Sequence, residues 1–322
     1  ADFTLTITVA NVNDTPVFSP NTGSTTATED TAFSYTVTAT ATDDDGDTLT
    51  YTKQSGPTWV SFDATSKELT GTPLNANVGN NTVVIRATDG SGAYADFTLT
   101  ITVANVNDTP VFSPNTGSTT ATEDTAFSYT VTATATDDDG DTLTYTKQSG
   151  PTWVSFDATS KELTGTPLNA NVGNNTVVIR ATDSSSAYAE FTLTITVANT
   201  NDAPTITSSP TFTADENQTT IGQVKATHAD GNTLTYSVSG NELEIDQLTG
   251  VLIFKNAPNY EIKSTYTAKV TVSDGTNSAT QDITVNVTNL NDNTPQITSS
   301  AIFIALENQT AIGKVEASDA DG

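Results

Sequence analysis

The sequence predicts an all-β protein, a series of seven-stranded Greek-key β-sandwiches set end to end as a rod. Three observations predict it. Residues 1–89 recur without one substitution as residues 95–183, a shift of 94 positions and the size of one sandwich. Apolar residues alternate with Thr or Ser over short segments, the period of a half-buried strand. Clusters of Gly, Pro, Asn and Asp interrupt these segments, and no segment carries a sustained helical period.

Each element follows from that alternation. Phe33, Tyr35, Val37, Ala39 and Ala41 share one face of a strand expected over 33–41. Shorter strands are expected at 48–52, 59–62, 68–70 and 82–88, and a long one, with Phe97, Leu99, Ile101 and Val103 inward, closes the unit. A third, divergent unit reads as strands at 221–227, 233–238, 251–254, 266–273 and 279–287. Residues 1–10 equal residues 95–104, so they are expected to form the last strand of a truncated upstream repeat, and 297–322 resembles the start of the third unit.

Linkers of the form Asn-x-Asn-Asp begin at Asn11, Asn105, Asn199 and Asn289. They divide the chain into 1–14, 15–108, 109–202, 203–292 and 293–322. Strands of 8 to 10 residues would make each sandwich about 30 Å long, and three in series about 100 Å.

The chain carries 11 Lys and Arg against 38 Asp and Glu, a formal net charge of -27. Nucleic acid and anionic membrane surfaces are poor partners for such a chain. The charge opposes compaction unless counter-ions bind, which brings divalent cations forward. Without Cys there is no disulfide, thiolate site or cysteine nucleophile. No apolar run is long enough to span a membrane as a helix. With His228 the only His, a repeated Ser-His-Asp arrangement is impossible, and no phosphate loop appears, so an enzyme is not expected.

Four acidic features recur at unit ends: Glu29, Glu123, Glu216 and Glu307 before a strand; Asp-rich turns at 43–47, 137–141 and 319–322; Asp89, Asp183 and Asp274 at strand ends; and the linkers. The third unit resembles a cadherin repeat through Ala214-Asp215-Glu216-Asn217, Asn259-Tyr260-Glu261, Ser273-Asp274-Gly275 and the linker at 289–293. The first two units resemble the dystroglycan-type cadherin-like repeats of large RTX-like bacterial surface adhesins. They share Glu-Asp-Thr, the Asp-Gly-Asp-Thr-Leu-Thr-Tyr turn, Pro-Thr-Trp-Val-Ser-Phe and Gly-Thr-Pro with them.

The resemblance implies Ca²⁺ held between consecutive domains, and oxygen-only donor sets suit that hard cation independently. It assigns Asn11, Asn13, Asp14, Asp43, Asp45 and Asp89 to the first junction. Glu29, Asn105, Asn107, Asp108, Asp137, Asp139 and Asp183 go to the second, with Asn77 where relatives place an Asp. Glu123, Asn199, Asn201, Asp202, Asp230 and Asp274 go to the third. Glu216, Asn259, Glu261, Asn289, Asn291, Asp292, Asp319 and Asp321 go to the last. At the third junction His228 stands where an Asp is expected, either as a simple substitution or as a pH switch. An ion there should be weakened, making this joint the softest.

The function expected is that of calcium-rigidified stalk repeats of a bacterial surface adhesin or extracellular fibre, projecting a distal binding region. Their partners would be neighbouring repeats, like chains in a fibre or surface glycans. The alternative is a carbohydrate-binding or homophilic adhesion module using Trp59 and Trp153, residues that read equally as core.

Overall fold

In the first sandwich the strands are β1 (Val17–Ser19), β2 (Thr22–Thr28), β3 (Phe33–Thr36), β4 (Thr40–Thr42), β5 (Thr50–Ser55), β6 (Ser61–Asp63), β7 (Glu68–Gly71), β8 (Gly79–Thr88) and β9 (Tyr94–Ala104). The computed structural model describes residues 2–321. One sheet runs β2-β9-β8-β5, the other β3-β7-β6, and β1 pairs with β4. β2 lies parallel to β9, and β8 and β5 continue antiparallel.

The strand expected over 33–41 is divided. Phe33–Thr36 pairs with β7 and Thr40–Thr42 with β1, so the chain crosses from one strand pairing to another. The alternation survives the crossing, because Phe33, Val37 and Ala39 are all buried. β2 escapes a reading based on apolar alternation, since its sequence is Thr-Gly-Ser-Thr-Thr-Ala-Thr. It belongs there because it is thin: a Cβ on Gly23 would lie 2.9 Å from Phe97 Cζ.

The core of this sandwich is the inward face of β8 and β9 (Val83, Ile85, Phe97, Leu99 and Ile101) closed by Leu69 and Val60 from the other sheet. Each fully buried Val, Leu, Ile or Phe side chain contributes roughly 1.5–3 kcal/mol of transfer free energy. Trp59 belongs to this packing: its ring meets Phe33 edge-on at 5.6 Å and its Nε1 donates to Asn81 Oδ1 at 3.3 Å.

The second sandwich repeats the arrangement 94 residues on. One sheet is ordered Thr116–Thr122, Tyr188–Ala198, Gly173–Thr182, Thr144–Ser149, and the other Phe127–Thr130, Glu162–Gly165, Val154–Asp157. In the third, Thr211–Asp215, Ser278–Thr288, Thr265–Ser273 and Thr235–Val238 face Thr220–Gln223, Val251–Phe254 and Leu243–Ile245 around Val270, Val272, Ile283, Val285, Leu252 and Phe254.

The chain falls into two compact units: Ala1–Thr119 with Ser128–Thr164 and Thr176–Ile195, and Thr120–Phe127 with Gly165–Asn175 and Thr196–Gly322. Each of the acidic sites below lies within one unit.

Residues 2–10 differ from expectation. They form no strand, and Phe3, Leu5, Ile7 and Val9 are exposed. The same residues at 95–104 are strand because β8 and β2 bond to both edges there. Among the described residues of the last segment, only Gln296–Ile297 and Ala317–Ser318 pair.

Candidate metal centres at the linkers

Each site starts from a Glu at the end of a strand. Glu29 follows β2 and its N–H bonds to Ala104 O at 3.1 Å. The next residue, Asp30, takes a left-handed φ of 55° and donates its N–H to Pro73 O at 2.8 Å. Asp124 and Asn217 do the same with Pro167 and Pro258. Asp and Asn tolerate this conformation better than most residues. Glu29, Glu123 and Glu216 are each only 1% exposed.

The Asp-rich turns build the opposing half. Asp137 Oδ1 accepts the N–H of Asp139 at 3.1 Å and of Asp141 at 3.3 Å, and Gly140 supplies the left-handed residue with φ 76°. This side-chain turn aims Asp139 at the linker, where its Oδ2 accepts the Asp108 N–H at 2.7 Å. The linker's Asn107 donates from Nδ2 to Asp183 Oδ2 at 2.8 Å and to Asp108 O at 2.8 Å. The same bonds join Asn13, Asp14, Asp45 and Asp89 in the first linker, where Asn11 Nδ2 also donates to Asp45 Oδ1 at 2.7 Å.

Among the described residues three carboxylate groupings result, each with one candidate ligand oxygen per residue and all of these within 4.8 Å of one another: Glu29, Asp108 and Asp139; Glu123, Asp124 and Asp202; and Glu216, Glu261, Asp292 and Asp321. Nine of these ten residues are among those expected from sequence. Asp124 is the addition, brought in by its left-handed position next to Glu123.

Other positions fall differently. Asn77 Oδ1 accepts the Leu74 N–H at 2.9 Å within a 3-10 turn over Asn75–Asn77. Asn75 donates from Nδ2 to Asp139 Oδ1 at 3.0 Å, and Asn169 likewise to Asp230 Oδ1 at 2.7 Å. Asn259 Oδ1 likewise serves its own turn, at Ile262 N. In the last linker Asn289 Nδ2 donates to Asp321 O at 3.1 Å, while Asn293, absent from the expected set, donates its N–H to Asp321 Oδ2 at 2.7 Å. Asp319 Oδ1 receives the Asp321 N–H at 3.1 Å.

The donor sets fit a hard divalent cation. Among the described residues, nine buried side-chain polar atoms have no hydrogen-bond partner, and six are oxygens of these sites: both carboxylate oxygens of Glu29, one each of Asp43, Glu123 and Asp137, and Asn289 Oδ1. A buried acceptor without a donor is costly, and a cation satisfies it. Burial, followed by the charges of Asp108 and Asp139, holds the Glu29 carboxyl above its ordinary range. Asp89 and Asp183 are held below theirs, chiefly by the side-chain amides of Asn13 and Asn107.

Solved structures share this fold. The cis-dimer structure of protocadherin gammaB7 EC3-6 is 20% identical, with 96% of this chain and 84% of that one covered at a TM-score of 0.61. Mouse cadherin-23 EC22-24 is 20% identical, covering 86% and 99% at 0.58. In sequence, the chain is 28% identical over 148 residues to the serine-rich adhesin for platelets of Staphylococcus aureus strain MRSA252, covering 43% of this chain and 10% of that protein. The same adhesin of strain MSSA476 is matched at 28% over 6% of its length, so the chain spans a tenth or less of these curated relatives. A family model matches residues 15–104 and again 109–198, more than half of the chain together, and the Bacterial Ig domain model matches 201–288. The chain is a series of repeats that share the cadherin fold and belongs to the family described as Putative Ig domain.

Proposed function

We propose that these repeats are the calcium-rigidified stalk of a bacterial cell-surface adhesin, carrying a distal binding region away from the surface, with domain limits at the linkers as expected from sequence. The observation that carries the calcium reading is Glu29. Its carboxylate is buried with neither oxygen hydrogen-bonded, beside Asp108 and Asp139. Calcium bound there would supply positive charge to oxygens that otherwise repel one another. Glu29, Asp108, Asp139 and Asp137 would hold it in the first repeat pair, and Glu216, Glu261, Asp292 and Asp321 in the last.

The protein's own part is to present those oxygens. The Asp-Gly turns fix Asp45, Asp139 and Asp230, and the linker asparagines tie Asp89, Asp183 and Asp274 to the linker. Similarity to a platelet adhesin supports the adhesive setting and an extracellular, non-enzymatic role. No helix among the described residues is long and apolar enough to cross a membrane. The carbohydrate-binding alternative loses its main support, because Trp59 is packed against Phe33.

The test is thermal denaturation in calcium and in EDTA. Calcium is expected to raise the midpoint by several degrees. Identical melts, with no calcium bound by equilibrium dialysis, would refute the reading.

A further inference from the structure

His228 occupies the position that Asp43 and Asp137 hold in the copied repeats, and it satisfies that position by different chemistry. In the copies, this Asp keeps Oδ2 buried and without a donor. At 228 the ring Nδ1 accepts the Asp230 N–H at 3.1 Å. The proton therefore sits on Nε2, which donates to Asp274 Oδ2 at 2.9 Å. The His228 side chain is 1% exposed and that of Asp274 0%.

Asp274 then has a donor for each of its lone pairs. Oδ1 accepts the N–H groups of Thr276 and Asn277, each at 2.6 Å, and Oδ2 accepts Asn201 Nδ2 at 2.8 Å besides the imidazole. A carboxylate offers about four such sites.

The neighbouring acceptors are also filled. Asn201 Oδ1 receives Asn232 Nδ2 at 2.7 Å, and Asn232 stands where the copy has Asp141. Asn277 Nδ2 donates to Asn201 O at 3.1 Å and lies 3.4 Å from Asp202 O. The oxygens a hard cation would need at this end of the third repeat are turned toward N–H donors, which a cation cannot replace without breaking the network.

We propose that His228, Asn232 and Asn277 form an internal donor network that takes the place of a divalent cation on the third-repeat side of the 199–202 linker. This joint therefore binds fewer calcium ions than the 105–108 joint and keeps its local geometry when calcium is withdrawn. The ion count rests on the calcium reading above; the network does not. Glu123, Asp124 and Asp202 leave the second-repeat side of the same linker acidic and open to calcium. The substitution that would make this joint the softest in calcium thus makes it the least dependent on calcium.

Two measurements on the full chain test this. Calcium titration by calorimetry should show about one additional equivalent for the H228D/N232D double variant over wild type. Hydrogen exchange of the wild type in EDTA, which needs no variant, should show residues 199–202 and 274–277 exchanging about tenfold more slowly than 105–108 and 183–187. Equal exchange at the two linkers in EDTA overturns the proposal. So does an unchanged ion count in a double variant that still binds calcium elsewhere. Absence of calcium from every joint in both proteins overturns the calcium reading and the ion count together.

Discussion

Glu29 is a charge that the metal-free fold disfavours. Its carboxyl is held above the ordinary Glu range by burial and by Asp108 and Asp139, so the folded chain binds this proton more tightly than the unfolded chain. Stability in EDTA should therefore fall as pH rises from the ordinary Glu value, about 4.3, through the raised folded value, and the full penalty stands above it. Glu29→Gln removes that penalty. Urea denaturation in EDTA should find the variant more stable than wild type at neutral pH, with a flatter pH profile below. In calcium the order should reverse, because the variant has lost a ligand; the same order in both buffers would show that Glu29 holds no cation. Asp89 and Asp183 act with the opposite sign: their depressed values stabilise the fold above the ordinary Asp range, and this is lost as pH falls through their folded values.

All of these carboxylates but Asp124 were legible in the sequence because each is charged and recurs at the end of a unit. The roles of the neutral polar residues around them were not. The choice between Asn75 and Asn77 is made by one 3-10 turn, in which Asn77 closes on Leu74 N and Asn75 is left facing Asp139. Asp124 depended on a left-handed residue that no period reveals.

At the scale of elements, apolar alternation located β5, β7, β8 and β9 to within a few residues. It failed for β2, whose contribution is the absence of bulk over Phe97. Position 71 carries the same kind of information. A Cβ on Gly71 would lie 1.9 Å from the backbone oxygen of Trp59, between β7 and the turn that enters β6. Gly71→Ala must displace that turn and should cost about 1–3 kcal/mol, read by urea denaturation, with Trp fluorescence reporting the moved ring. An unperturbed midpoint would mean that the turn moves freely. Residues 2–10 make the complementary point: strand formation at 95–104 comes from β2 and β8 on either side, not from the ten residues themselves.

For the whole molecule the dominant quantity is the net charge of -27. Much of it sits on exposed turns, where roughly 0.5 M monovalent salt screens beyond a few ångströms. The buried carboxylates of Glu29, Glu123 and Glu216 are screened far less. Sodium chloride in EDTA should therefore restore part of the melting temperature lost on chelation, and calcium the remainder. Complete recovery with sodium chloride alone would reduce calcium to a counter-ion.

The Glu29 grouping draws its Glu from one copied repeat and its Asp139 from the next, with Asp108 between them. Loss of residues 15–108 by unequal crossover would join Asp14 to Thr109 and restore Asn-Val-Asn-Asp-Thr-Pro without a seam. Gain of the same segment would insert a sandwich together with a whole joint. The gene can thus vary in length by steps of one repeat while every junction it creates stays chemically complete. The boundaries at 199–202 and 289–292, whose sequences differ from the copied linker, would keep their own identity through such exchanges.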